Sequence, residues 1–118
     1  MSSFHRTLTA EPWGRFEFAD QIMMIANEAH RARKALQIGD VEGARGAYSL
    51  ALDLADLTID TRGRERSKRQ RELCRFREVL AGECVAVEPS PGANRAILKV
   101  LLLFTPRSAE QTPYVCES

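Results

Sequence analysis

The densest group of residues able to do chemistry in this chain is a run of basic side chains between residues 62 and 77. This segment holds eight basic and two acidic residues, a net charge of +6 in a 118-residue chain whose total is +1. Arginines at helical spacing can contact phosphates, so the run predicts a nucleic-acid-binding surface as one alternative. A solvated helix face is the interpretation we favour, because the run matches no nucleic-acid motif. The nucleic-acid candidates are Arg62, Arg64, Arg66, Lys68, Arg69 and Arg71.

Three aspartates form the second group. Asp53, Asp56 and Asp60 follow one another at spacings of three and four, which places them on one face of a helix. Sites made only of oxygen ligands usually need six or more of them, so pairing with arginines is a better interpretation than a metal site. We predict a partner-binding surface that joins these aspartates to the third predicted helix. Its residues are Asp53, Asp56, Asp60, Arg69, Glu72 and Phe76.

Signatures of catalysis or cofactor binding are not seen in the sequence. His30 has no nucleophile or carboxylate placed beside it by the sequence pattern. No glycine-rich phosphate loop, nucleophile elbow or metal-ligand spacing occurs. We therefore predict a protein that is not an enzyme, with no catalytic residues, no metal and no cofactor.

Cysteine usage and hydropathy predict a cytoplasmic location. The three cysteines are an odd number without C-x-x-C spacing, which argues against a disulfide framework and for a reducing compartment. The longest apolar run, residues 97–104, is interrupted by Lys99 and falls well short of the roughly 20 residues that a membrane span needs. The first twelve residues do not resemble a signal peptide.

Helical periodicity organises the first half of the chain. Apolar residues recur at spacings of three and four over residues 15–38, which predicts a long first helix. Gly39 is expected to end it, and Asp40 to cap a second helix over residues 40–59. The second helix is apolar around most of its circumference, so we expect it to be central, with neighbours on two flanks.

The second half of the chain is predicted to contain one long and one short helix. The long helix runs to about residue 83, with a capping box at Ser67–Gln70 and an apolar face of Leu73, Phe76, Val79 and Leu80. Ser90 and Pro91 are typical of a helix start, which predicts a short buried helix over residues 91–104. A strand over residues 97–104 is the alternative, because periodicity cannot decide over so few residues.

The chain ends are expected to be irregular. Residues 1–14 are predicted to be a flexible arm, and residues 84–118 to contain a connector, the short helix and a tail. Trp13, Phe16 and Phe18 are expected to close one end of the bundle, because such rings expose a large apolar area otherwise. The predicted fold is thus all-α, a three-helix up-down-up bundle (residues 15–83) with a short fourth helix.

The turn and the second helix resemble a known hairpin. Gly39 and Asp40, followed by Ala44, Tyr48 and Ala51, resemble a tetratricopeptide-type hairpin, in which small residues allow the paired helix to approach closely. The resemblance covers residues 22–56 within a hairpin of residues 15–59, without the terminal proline of the motif. With the third helix added, residues 17–83 look like a microtubule-interacting-and-transport (MIT) domain.

The MIT resemblance implies a function. Such three-helix domains bind short amphipathic peptide helices in a groove beside the third helix, and the same is expected here. We therefore predict a non-enzymatic protein-protein interaction or assembly module that binds a peptide or partner helix along the hairpin and third helix. Self-association is a further option, and nucleic-acid binding through the Arg-rich start of the third helix is the alternative function.

Overall fold

All regular structure in the described residues is helical. The computed structural model describes the backbone of residues 10–62 and 68–116 and the side chains of residues 12–61 and 68–114. The expectation of an all-α protein is confirmed for these ranges, and residues 97–104, for which a strand was the alternative, are mostly helical. The helices are α1 (Ala10–Trp13), α2 (Phe18–Gln37), α3 (Val41–Arg62), α4 (Lys68–Cys84), α5 (Pro91–Leu102), α6 (Pro106–Ala109) and α7 (Thr112–Cys116).

The turn between α2 and α3 forms as its residues predict. Gly39 has a φ of 79°, and the backbone N–H of Asp40 donates to the carbonyl of Ala35 over 2.8 Å. Together with the bond from the Gly39 N–H to Leu36, this is a Schellman ending. The Asp40 carboxylate then accepts from the Gly43 N–H at 2.9 Å and caps α3. Two strong local signals therefore place α2 and α3 as a helical hairpin.

Four long helices surround the core. α3 packs against α2 on one side and α4 on the other, and α5 closes the ring by contacting both α2 and α4. The expectation that α3 has neighbours on two flanks agrees with these contacts. Fully buried side chains from all four helices fill the centre; the largest are Ile22, Ile25, Tyr48, Leu73, Leu80, Leu98, Leu101 and Leu102.

A buried polar network ties α5 to the hairpin. Asn94 is fully buried, and its amide nitrogen donates to the Ala29 carbonyl and to the Tyr48 hydroxyl oxygen, both at 2.8 Å. Burial of the Tyr48 phenol raises its pKa to about 12, and the hydrogen bond from Asn94 opposes the shift. Because a buried N–H without an acceptor is costly, the two bonds of the Asn94 amide nitrogen favour the side of α5 that faces α2.

The N-terminal helix is held by a buried tryptophan. Trp13 is fully buried, and its indole N–H donates to the Thr58 hydroxyl of α3 at 2.9 Å. Gln21 of α2 donates to the Trp13 carbonyl at 2.9 Å. α1 thus lies within the segment predicted as a flexible arm, yet its last residue belongs to the core. Of the three predicted end-closing rings, Phe18 is also buried, whereas Phe16 is 40% exposed.

The chain following α5 folds back against α2. Two short helices, α6 and α7, occupy the segment predicted as an irregular tail. The Thr105 hydroxyl caps α6 by accepting from the Ser108 N–H, and the buried Ser108 hydroxyl donates to the Leu102 carbonyl. Arg107 forms ion pairs with Glu17 and Asp20 at the start of α2. These local bonds and ion pairs attach the segment to the bundle.

Candidate functional site

A groove lies between α4 and α5. Its volume is about 670 Å³, within the range of pockets that hold ligands. The two helices run antiparallel here, since Glu83 near the end of α4 accepts from the Ser90 N–H while Phe76 packs edge-on against Phe104 beyond α5. The lining residues are Glu72, Arg75, Phe76, Val79, Glu83, Ala93, Ala96, Ile97, Val100, Leu103 and Phe104.

Small side chains and helix periodicity together create the groove. On α5, Ile97 and Leu101 point to the core, while Ala96, Val100 and Leu103 form a stripe at spacings of four and three on the outward side. Ala93 and Ala96 are too short to fill the space beside α4. The groove therefore has an apolar floor and apolar edges, and we call the exposed side chains of Val79, Val100 and Leu103 at these edges its lips.

The lips of the groove are large and exposed. Val79 is 58% exposed, Val100 is 55% exposed and Leu103 is 71% exposed. Scattered single apolar residues on a surface are common, but these three line one groove. Together they form a candidate interaction surface.

Three aromatic rings and one cation lie together near the end of the groove at Phe76 and Phe104. Phe104 packs edge-on against Phe76 and against Phe18 of α2, with centroid distances of 6.3 and 6.2 Å. The Arg69 guanidinium lies over the Phe18 ring at 4.7 Å. Arg69 is thus used partly in an internal cation–π contact.

The charged rim lies on α4. Glu72, Arg75 and Glu83 line the groove, and Glu72 forms a 3.9 Å ion pair with Lys68. Arg75 and Glu83 lie four residues to either side of Val79, so all three share a helix face. The rim therefore alternates in sign along α4.

The predicted partner-binding residues are divided between two places. Glu72 and Phe76 line the groove, whereas Arg69 lies over the Phe18 ring and does not line it. Asp53, Asp56 and Asp60 lie on α3 and do not line it. Asp56 instead accepts from the Arg77 guanidinium of α4 at 2.9 Å, which raises the pKa of Arg77.

The predicted nucleic-acid-binding residues are only partly described. Lys68, Arg69 and Arg71 are exposed on the first turn of α4. The side chains of Arg62, Arg64 and Arg66 lie outside the described residues, as do Ser67 of the predicted capping box and Glu65. Within the described part, Lys68 is paired with Glu72, and Arg69 is stacked on Phe18.

Other chemistry has little geometric support in the described side chains. No group of three or more potential metal-ligating residues occurs among them. Burial, with help from Lys34 and Arg33, lowers the pKa of His30. Cys74 is exposed, because the buried face of α4 uses Leu73, Phe76 and Leu80. None of the helices in the described ranges is both long and apolar enough to cross a membrane.

The sequence interpretation missed the residues that line the lips of the groove. Val79 was expected in the core, and α5 was expected to be buried throughout, yet Val79, Val100 and Leu103 are exposed. Lys99 was an available signal, since it lies on the same exposed side of α5 as Val100 and Leu103. A nearly continuous apolar run conceals such a face, because inward and outward positions have the same residue type.

Comparison with known proteins finds no protein family that matches the chain, and no similar curated protein or solved structure.

Proposed function

We propose that this protein is a non-enzymatic protein-protein interaction or assembly module whose α4/α5 groove receives an amphipathic helix. The observation that carries the proposal is the apolar groove with Val79, Val100 and Leu103 exposed on its lips. The partner is still a helix, as the sequence predicted, but it contacts the α4/α5 groove and not the aspartates of α3. On the resemblance alone, we also propose a tetratricopeptide-like hairpin and an MIT-type up-down-up order for α2 to α4.

The length of the groove suits a short helix. Its lining on α4 extends from Glu72 to Glu83, and at a rise of about 1.5 Å per residue this is roughly 16 Å. That length corresponds to about three helical turns, enough for anchors at positions i, i+4, i+7 and i+11.

The exposed lips favour a helix over a small apolar molecule. A molecule held within the groove leaves the outer surfaces of Val100 and Leu103 in water. A helix, with a diameter of about 10 Å including side chains, covers the floor and both lips at once. Burial of the lips gives the larger hydrophobic gain, at about 25 cal/mol per Å².

A selection from displayed peptides tests the proposal. We expect the wild-type chain to enrich peptides with apolar residues at helical spacing, and binding to fall about tenfold or more in Val79→Asp and in Val100→Asp. Val87→Asp is the matched control, because Val87 is 89% exposed and lies in the connector away from the groove. Failure to enrich such peptides, or equal binding by Val100→Asp and wild type, would contradict the groove as the binding site.

Nucleic-acid binding by the start of α4 is the alternative proposal. It is favoured by Lys68 and Arg71, which are exposed three residues apart on one face. Binding to a single-stranded oligonucleotide would weaken steeply with salt if phosphate contacts dominate. Unchanged binding in Arg71→Ala would argue against this surface.

We propose a cytoplasmic location because the described cysteines are not in disulfide bonds. Cys74 and Cys84 are both free thiols. Burial raises the pKa of the half-buried Cys84 thiol. Free thiols such as these persist in a reducing compartment.

A further inference from the structure

We infer that the occupant of the α4/α5 groove is a second copy of this chain, packed about a two-fold axis that passes beside Val79. This inference rests on the proposed function, since it names the partner of the same groove. It follows from two features of the surface: apolar side chains are exposed on both helices beside the groove, and its charges are complementary to their own two-fold image.

Both helices beside the groove expose apolar side chains to a second copy. Val79 on α4 is 58% exposed, and Val100 on α5 and Leu103 at its end are 55% and 71% exposed. A two-fold contact that crosses both helices packs these side chains against the same surface of the second copy and covers the groove.

The charges are placed symmetrically about Val79. Arg75 precedes Val79 by four residues and Glu83 follows it by four, and all three line the groove. A two-fold axis at Val79 reverses α4 in the second copy, so Arg75 of each copy lies opposite Glu83 of the other. The dimer thus gains two equivalent ion pairs around an apolar centre.

The size of the surface predicts weak association. Eleven residues line the groove, whereas a standard stable interface uses about 20–30 residues on each side. We therefore expect a dimer that forms at micromolar to millimolar concentration rather than a permanent one. Since the paired charges lie at the protein surface, added salt should weaken the dimer.

Sedimentation equilibrium of charge-reversed variants tests the dimer. The average mass of the wild-type chain should rise above its monomer mass of 13.2 kDa as its concentration approaches about 1 mM. Arg75→Glu and Glu83→Lys should each remain monomeric, because each places two like-charged pairs in the contact. An equimolar mixture of the two variants, and the double variant, should associate again, because opposite charges then face each other.

The controls separate charge from folding. Lys34→Glu on α2 and Glu88→Lys in the connector make the same charge changes away from the groove and should leave the wild-type association unchanged. Glu83 also accepts a hydrogen bond from the Ser90 N–H, so thermal melting must show that Glu83→Lys is folded. Renewed association in the mixture would itself show that both variants fold.

The inference and the proposed function can fail separately. A wild-type chain that stays monomeric at every concentration, or charge-reversed variants that associate like wild type, would overturn the inference. Selection of groove-binding peptides by a monomeric chain would overturn the second copy as occupant and leave the interaction module intact. Absence of both self-association and peptide binding would overturn both.

Discussion

At the scale of single residues, Tyr48 and Asn94 show how a polar pair specifies a core. Tyr48 comes from the hairpin and Asn94 from α5, 46 positions apart in sequence, and their bond is buried. A buried donor without its partner costs about 1–3 kcal/mol, so the pair disfavours other rotations of α5. The same pair makes the stability of the protein sensitive to alkaline pH.

We predict that the free energy of unfolding falls as the pH rises from 10 through about 12. The pKa of Tyr48 is raised to about 12 in the folded chain from an ordinary value of 10, so the folded state holds this proton more tightly. The stabilisation is fully present below pH 10 and lost above it, by roughly 2–3 kcal/mol at most. Denaturant unfolding at several pH values measures the loss.

Tyr48→Phe supplies the control for the pH dependence. This variant lacks the ionising group, so its stability should depend less on pH between 10 and 12. Tyr114→Phe, at a residue that is 72% exposed, should behave like wild type. Equal pH dependence in Tyr48→Phe and wild type would show that other groups cause the alkaline loss.

A second residue-scale prediction concerns Trp13. Trp13→Ala should lower the free energy of unfolding by about 3–5 kcal/mol, because it empties a fully buried site and removes the bond to Thr58. The neighbouring ring supplies the control, since Phe16 is 40% exposed and Phe16→Ala should cost much less. Equal losses in the two variants, measured by urea unfolding, would mean that α1 does not anchor through Trp13.

At the scale of elements, helix ends are governed by local chemistry. Ser90 caps α5 by accepting from the Ala93 N–H, and Pro91 follows at the first helical position. At the hairpin turn, Gly39 ends α2 and the Asp40 carboxylate caps α3. Such signals depend on a few adjacent residues, so they can be read from the sequence.

Two glycine substitutions should have opposite effects on stability. Gly39→Ala should destabilise the chain by about 1–2 kcal/mol, because a side chain is strained at a φ of 79°. Gly46→Ala should stabilise it by up to about 1 kcal/mol, because Gly46 is exposed within α3 and an added Cβ meets nothing within 4 Å. Thermal melting of both variants checks the signs, and a stabilised Gly39→Ala would contradict the Schellman ending.

At the scale of the whole molecule, α5 decides the architecture. The three helices of the predicted bundle leave an open side, and α5 closes it by contacting α2 and α4. Only the inward face of α5 makes that contact, so its outward face remains exposed as one wall of the groove. The candidate site is therefore a product of how the bundle closes.

Residue types alone predicted the helical class, the hairpin turn and the start of α5. These features depend on local periodicity and on caps within a few residues, and both are visible in residue types. The sequence also placed Glu72 and Phe76 in a candidate surface on the third long helix, where the groove lies.

The apolar residues that line the groove are identified by how the helices pack and not by residue type. The run that contains Val100 and Leu103 is apolar on nearly all sides, so its periodicity does not distinguish the core from the surface. The pairing of Asp56 with Arg77, of Trp13 with Thr58 and of Asn94 with Tyr48 likewise joins residues far apart in sequence. Such contacts depend on the relative rotation and spacing of whole helices, which packing determines and local residue types do not.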